Sequence, residues 1–130
     1  MAATADDLRS IPLFAELDDA SLERLAAVAT EVDAQPDQVL VEPLQAGTGM
    51  YFVLDGTIEV EAREGWRELG AGNFFGELAL LTDDGRRTAR CRAKTQVRCL
   101  AFDRAAFEEL VRRHPDIAAT LLETALGRLG

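Results

Sequence analysis

The sequence predicts a mainly β fold with helices at both ends, an antiparallel sandwich or jelly roll, and three observations carry that prediction. Short apolar or alternating runs crowd the middle of the chain: Gln38–Val41, Met50–Leu54, Thr57–Ala62, Trp66–Leu69, Thr88–Ala93 and Val97–Phe102. They are too short for helices, and glycine-bearing turns separate several of them. Helical spacing of apolar residues appears near the two ends, at about 19–29 and beyond Asp103. The chain has 130 residues and is 48% hydrophobic, enough for one core, with neither an internal repeat nor a low-complexity linker.

Taken in order, residues 1–8 are expected to be frayed or weakly helical, and Pro12 limits any helix around it. Asp18 or Asp19 can cap a helix whose apolar face is Leu22, Leu25, Ala26 and Ala29. Pro43, Gly47 and Gly49 make the segment before the Met50 strand turn-rich. Asp55-Gly56 reads as a hairpin signal, and Glu64-Gly65 as another turn. Residues 76–81 are good helix formers and predict a short helix, followed by the loop 82–86. Asp103 caps a helix over about 104–113 with Phe107, Leu110 and Val111 on one face. Pro115 opens a last helix to about Leu129, with an apolar stripe of Ile117, Leu121, Leu122 and Leu126.

Charge and composition narrow the function. No apolar run approaches the ~20 residues a membrane helix needs, and the N-terminus lacks a signal-peptide pattern, so the cytoplasm is the default. The net charge of −9, from 14 basic and 23 acidic residues, argues against direct contact with nucleic acid. An anionic ligand then needs a local positive site, for which Arg86, Arg87, Arg90 and Arg92 are the candidates. Cys91 and Cys99, on two successive strands, read as buried apolar side chains in a reducing compartment. Neither they nor the single histidine, His114, supply a metal site, haem axial ligands or a catalytic set.

One stretch carries chemistry. Phe75-Gly76-Glu77-Leu78-Ala79-Leu80-Leu81, followed after a five-residue gap by Arg87-Thr88-Ala89, reads as a pocket for a small phosphate-bearing ligand. Gly76 lets a ligand approach the backbone, and the free N–H groups of the first helical turn favour an anion. Arg87 offers a planar fork of donors that suits phosphate oxygens, and Thr88 can add a hydroxyl. Glu77 is an acceptor, suited to sugar hydroxyls rather than to phosphate. Gly70, Gly72 and Gly76 superficially suggest a dinucleotide-binding glycine motif, but that motif needs a long helix, and this one stops by Thr82. Gly70 and Gly72 are read as turn residues.

The seven-residue word and the spaced Arg-Thr-Ala resemble the phosphate-binding cassette of the cyclic nucleotide-binding domain family, and the resemblance runs from about Leu13 to about Leu129. It implies one domain over 1–130: a double-stranded β-helix (a jelly-roll-like β-roll) with N-terminal helices, a short phosphate-binding helix and two C-terminal helices. It also implies a ligand, cAMP or cGMP, with no further cofactor. Glu77 would bind the ribose 2′-hydroxyl, Arg87 the cyclic phosphate, and Thr88 would sit beside phosphate and base. Leu69 and Cys91 would line the base, and Arg128 of the last helix would lie over the nucleotide. Arg86, Arg90 and Arg92 are left to solvent. Leu44–Thr48 departs from the family's usual Gly-[Glu/Asp]-x-[Gly/Ala]-Asp turn.

The function expected is therefore a receptor or regulatory domain rather than an enzyme, binding cAMP in preference to cGMP and signalling through movement of the last helix over the ligand. The alternative is a degenerate domain that keeps the fold and acts as a ligand-independent interaction module. The expected setting is a small stand-alone receptor or one part of a larger protein, with an effector domain, a partner protein or a second copy as possible partners.

Overall fold

The computed structural model describes residues 4–41, 49–62, 65–76 and 90–129. The chain begins with α1 (Ala5–Arg9), a 3-10 turn at Pro12–Phe14 and α2 (Asp19–Val28). Eight strands follow among the described residues: β1 (Thr30–Ala34), β2 (Val39–Val41), β3 (Gly49–Asp55), β4 (Ile58–Ala62), β5 (Gly65–Leu69), β6 (Phe74–Phe75), β7 (Arg90–Ala93) and β8 (Val97–Asp103). Two helices close it, α3 (Arg104–Arg113) and α4 (Pro115–Leu129).

The helix ends follow from side-chain caps. Asp18 accepts a bond from the Ser21 N–H at 2.8 Å, and Asp103 one from the Ala106 N–H at 2.8 Å, each satisfying an orphan donor of the first turn. The short first helix has its own cap. Thr4 and Asp7 form a reciprocal capping box around α1, and Leu8 is fully buried, which offsets the fraying expected of so short a helix.

The strands form two four-stranded antiparallel sheets, ordered β1-β8-β3-β6 and β2-β7-β4-β5. Alternation along a strand sends successive side chains to opposite faces, and the first sheet has a hydrophobic cluster on each. On its outer face Met50, Phe52, Phe74, Leu100 and Phe102 meet Leu8, Phe14, Leu22, Leu25, Phe107, Leu110 and Leu121 from the helical segments. On its inner face Val53, Phe75, Val97 and Cys99 meet Val41, Ile58, Val60, Leu69, Cys91 and Ala93 of the second sheet. The near-continuous apolar run Met50–Leu54 is thereby explained, since both faces of β3 are covered.

Two expectations are corrected, and one strand is added to those expected. Asp55-Gly56 does not pair β3 with β4, because the two strands lie in different sheets. Gly56 (φ +94°) instead turns a corner between sheets, where a Cβ would run into the Gln96 carbonyl oxygen. The neighbouring corner at Lys94–Gln96 does the same for β7 and β8. The two corners are tied by the Lys94 N–H to the Thr57 carbonyl at 2.9 Å and the Thr57 N–H to the Thr95 hydroxyl at 3.1 Å. Next, β1 was not expected: Thr30–Ala34 alternates too weakly to read as a strand, and it forms as an edge strand held by β8. Finally, the apolar stripe of α4 is split. Ile117 and Leu121 are buried in the outer cluster, whereas Leu122 and Leu126 face solvent.

Gly70 and Gly72 do lie in a turn, with the Asn73 N–H bonded to the Gly70 carbonyl at 3.2 Å. Gly72 has φ +91°, and a Cβ there would press on the Pro12 ring, so the turn before β6 packs directly on the N-terminal segment.

Candidate functional site

The candidate site starts where β6 ends. Phe74 and Phe75 alternate, Phe74 into the outer cluster and Phe75 into the inner one. Phe75 pairs with Tyr51 in the ladder and stacks on its ring at 4.9 Å, which fixes the end of the strand. Gly76 follows with φ +87°, a left-handed conformation that side-chain-bearing residues rarely adopt, so glycine is the residue suited to turn the chain there.

Three of the expected ligand-lining residues come together in the inner cluster: Leu69 at the end of β5, Phe75 on β6 and Cys91 on β7. Leu69 stands opposite Ile58, and Cys91 opposite Val60. Glu77, Leu78, Ala79, Arg87, Thr88 and Ala89 lie outside the described residues, as do Arg86 and the turn 44–48. The ends that bracket residues 77–89 are described. The chain leaves from Gly76, after the edge strand of the first sheet, and resumes at Arg90, on a strand inside the second sheet. Arg128 lies within α4.

Charged groups on β7 point away from the inner cluster. Arg90 lies 3.7 Å from the Glu61 carboxylate. Arg92 pairs with Glu59 at 3.3 Å and sits 5.7 Å over the exposed Trp66 ring. These two arginines serve the outer surface of the second sheet. Both cysteines are buried. Burial, with a smaller contribution from Asp33, pushes the Cys99 thiol up to about 12, so it stays protonated and acts as an apolar filler. Among the described residues no group of His, Cys, Asp and Glu could hold a metal ion. Among them, too, no helix is long and apolar enough to cross a membrane.

One network escaped the sequence reading. Arg98, the charged residue inside the apolar β8 run, bonds Glu31 of β1 through Nε and Asp7 of α1 through a terminal nitrogen at 3.1 Å. It staples α1 to the first sheet. Burial alone would raise the Asp7 pKa, but the bonds from Thr4 and from Arg98 outweigh it and hold the carboxyl below its ordinary range. A charge in mid-strand was the available signal.

Two sheets rolled around an inner apolar cluster, with a glycine turn leading out of it and helices packed on the outside, define a β-roll. The comparisons sharpen that class. The family described as Cyclic nucleotide-binding domain matches residues 31–114, more than half of the chain. A cyclic nucleotide-gated potassium channel of Rhizobium etli is 35% identical over 121 residues, covering 93% of this chain and 34% of the channel. Among solved structures, the catabolite activator protein of Thermus thermophilus is 27% identical with a TM-score of 0.76, over 91% of this chain and 58% of that one. The regulatory domain of a Toxoplasma gondii protein kinase A, solved with cAMP, gives a TM-score of 0.83 at 20% identity, over 95% of this chain and 48% of that one. The chain belongs to the cyclic nucleotide-binding domain family, a ligand-binding regulatory fold, and spans about a third of the length of the channel it matches.

Proposed function

We propose that this chain is the sensing domain of a cyclic nucleotide receptor, binding cAMP in preference to cGMP and passing the signal on through α4. The observation that carries the reading is Gly76, held at φ +87° directly after Phe75 enters the inner cluster. The seven-residue word thus begins at the edge of the apolar space formed by Leu69, Phe75 and Cys91. In this reading the N–H groups following Gly76 and the Arg87 guanidinium hold the cyclic phosphate, Glu77 takes the ribose hydroxyl, and Thr88 adds a bond beside phosphate and base. Leu78, Ala79 and Ala89 complete the cassette wall, while Leu69 and Cys91 contact the base. Counting back along β7, Arg87 has the sequence parity of Cys91 and Ala93, the inward-facing residues of that strand.

The signal requires a ligand that binds better to one position of α4 than to another. Leu122 and Leu126 face solvent on α4 and suit the role of an apolar cover, with Arg128 two residues further along the helix. The Rhizobium etli channel is nucleotide-gated by name and the Toxoplasma gondii domain was solved with cAMP, which supports a cyclic nucleotide as the ligand class. Because the matched channel is longer than this chain, an effector outside these 130 residues is part of the proposal.

Calorimetric titration of the chain with cAMP and with cGMP, repeated on Arg87→Ala, tests the reading. Saturable binding with cAMP tighter is expected. Removing the phosphate's charge partner should weaken it by about 2–5 kcal/mol, roughly thirtyfold to several thousandfold. No binding of either nucleotide by the native chain would overturn the reading in favour of a ligand-independent interaction domain.

A further inference from the structure

A charged residue of the second sheet shares a face with the inner apolar cluster, and none of the contacts assigned above uses it. Arg67, in the middle of β5, stands directly opposite Val60 in the ladder, two residues before Leu69. Residues opposite one another in a sheet, and residues two apart along a strand, lie on one face. Val60 and Leu69 are 2% and 8% exposed and belong to the inner cluster, so Arg67 has the inward parity. Its neighbours Trp66 and Glu68 have the other parity, and they meet Arg92 and Lys94 on the outer surface. The acids of β4 are engaged on that outer surface too, Glu59 by Arg92 and Glu61 by Arg90. Arg67 is exposed and makes no hydrogen bond or ion pair among the described residues.

Three inward positions lie in one row across the sheet. Cys91 on β7 is opposite Val60 on β4, which is opposite Arg67 on β5. A flat base resting on Cys91 and Leu69 lies along this row. Its apolar support ends at Arg67, one strand spacing of about 4.8 Å beyond Val60. β5 is the edge strand of the sheet, so the guanidinium stands at the rim, in water, on a flexible stem. Its charge costs little while the site is empty. A ligand with acceptor atoms at that edge supplies the partner that the protein does not.

We propose that Arg67 reads the base, donating to the acceptor edge of the purine and so setting the margin between the two nucleotides. The inference rests on the receptor reading above and adds a specificity residue to it. Guanine presents two adjacent acceptors, O6 and N7, which match the guanidinium fork. Adenine presents N7 beside an N6 amino donor, and arginine has only donors, so one of its two bonds is lost there. Arg67 therefore favours cGMP, against the preference for cAMP proposed for the pocket as a whole. That preference is narrower than an apolar residue at position 67 would leave it.

Calorimetric titration with cAMP, cGMP and cyclic inosine monophosphate, on the native chain and on Arg67→Met, tests it. Methionine keeps an unbranched stem and removes the donors, and circular dichroism checks that the variant folds. The inosine nucleotide keeps O6 and N7 but lacks the guanine amino group, so it isolates the edge in question. The ratio of cGMP to cAMP affinity should fall about tenfold in Arg67→Met, the scale of one bidentate arginine–guanine pair, and the inosine nucleotide should fall with cGMP. An equal loss for all three nucleotides would overturn the inference and make Arg67 a general attraction for the phosphate. Affinities untouched by the substitution would overturn it and leave Arg67 to solvent. A loss for cGMP without one for the inosine nucleotide would overturn it in favour of a contact at the amino group. Native binding of cAMP with none of cGMP would also overturn it, while the receptor reading stood. Binding of none of the three by the native chain would overturn both.

Discussion

The two faces of the first sheet are both apolar and yet are built differently. The outer face is aromatic: Phe52 has Phe14, Phe102 and Phe74 around it at centroid distances of 4.9, 5.5 and 5.7 Å. The cluster between its inner face and the second sheet is made largely of small or β-branched residues, Ala34, Val53, Val97 and Cys99 from the first sheet and Ile58, Val60, Cys91 and Ala93 from the second, with Phe75 as its buried phenylalanine. Large interlocking rings give a dense, rigid contact between helices and sheet. The inner cluster joins the two sheets through smaller side chains, and the proposed ligand contacts Leu69, Phe75 and Cys91 belong to it. On the proposed reading the outer cluster mainly carries stability and the ligand contacts fall on the inner one, with β3 and β8 contributing to both.

Substitutions can break or sharpen that division. The largest effect should come from Phe52→Ala, which leaves a cavity in the aromatic cluster and costs about 3–5 kcal/mol in urea unfolding. Nucleotide affinity of the folded fraction should not change; a parallel loss of affinity would break the division. Gly56→Val should cost about 2–4 kcal/mol, since it combines a strained φ with a clash on the Gln96 carbonyl. Arg98→Ala should cost about 1–2 kcal/mol, reduced from a fully buried pair because the Arg98 side chain is 36% exposed. It should release α1, seen as faster amide exchange at Leu8. The Asp7 end of that staple has a sign in pH. A carboxyl held below its ordinary range stabilises above the unfolded pKa and loses that contribution as pH falls through the folded one. Protection of α1 should therefore be constant above about pH 5 and fade below about pH 4. Cys99 should resist alkylation in the native state at pH 8 and react on unfolding, because burial keeps its thiol protonated. The smallest effect should be Trp66→Ala, less than about 1 kcal/mol, because its contact with Arg92 lies on the exposed side of the second sheet.

Much of this architecture was legible in the sequence, for reasons that particular residues show. Asp18, Asp103 and Pro115 mark helix starts through local chemistry, and each does so in the structure. The Met50–Leu54 run announced a buried strand and Val97–Phe102 a further strand, and both form. Local chemistry does not state which sheet a strand joins. Asp55-Gly56 signals a tight turn, but the Gln96 carbonyl packed on Gly56 is a non-local partner that makes the turn a corner. β1 has too few apolar residues to declare itself, and pairing with β8 along Val32–Cys99 forms it. Helical spacing placed Leu122 and Leu126 in one stripe with Leu121, although only tertiary packing decides which part of so wide a stripe is covered. Of the candidate site, the sequence named Leu69, Phe75 and Cys91 by resemblance, and the inner cluster holds all three. Arg98 was missed because its partners Asp7 and Glu31 are 91 and 67 residues away in the chain.

The most direct test measures unfolding free energy and cAMP affinity together on two variants, Phe52→Leu and Arg87→Ala. If the outer face holds the fold and the inner side holds the ligand, the two effects cross. Phe52→Leu should lose about 1–2 kcal/mol of stability at native affinity, whereas Arg87→Ala should keep its stability and lose at least tenfold in affinity. Affinity that falls with stability in Phe52→Leu, or native-like cAMP binding by Arg87→Ala, would contradict the account.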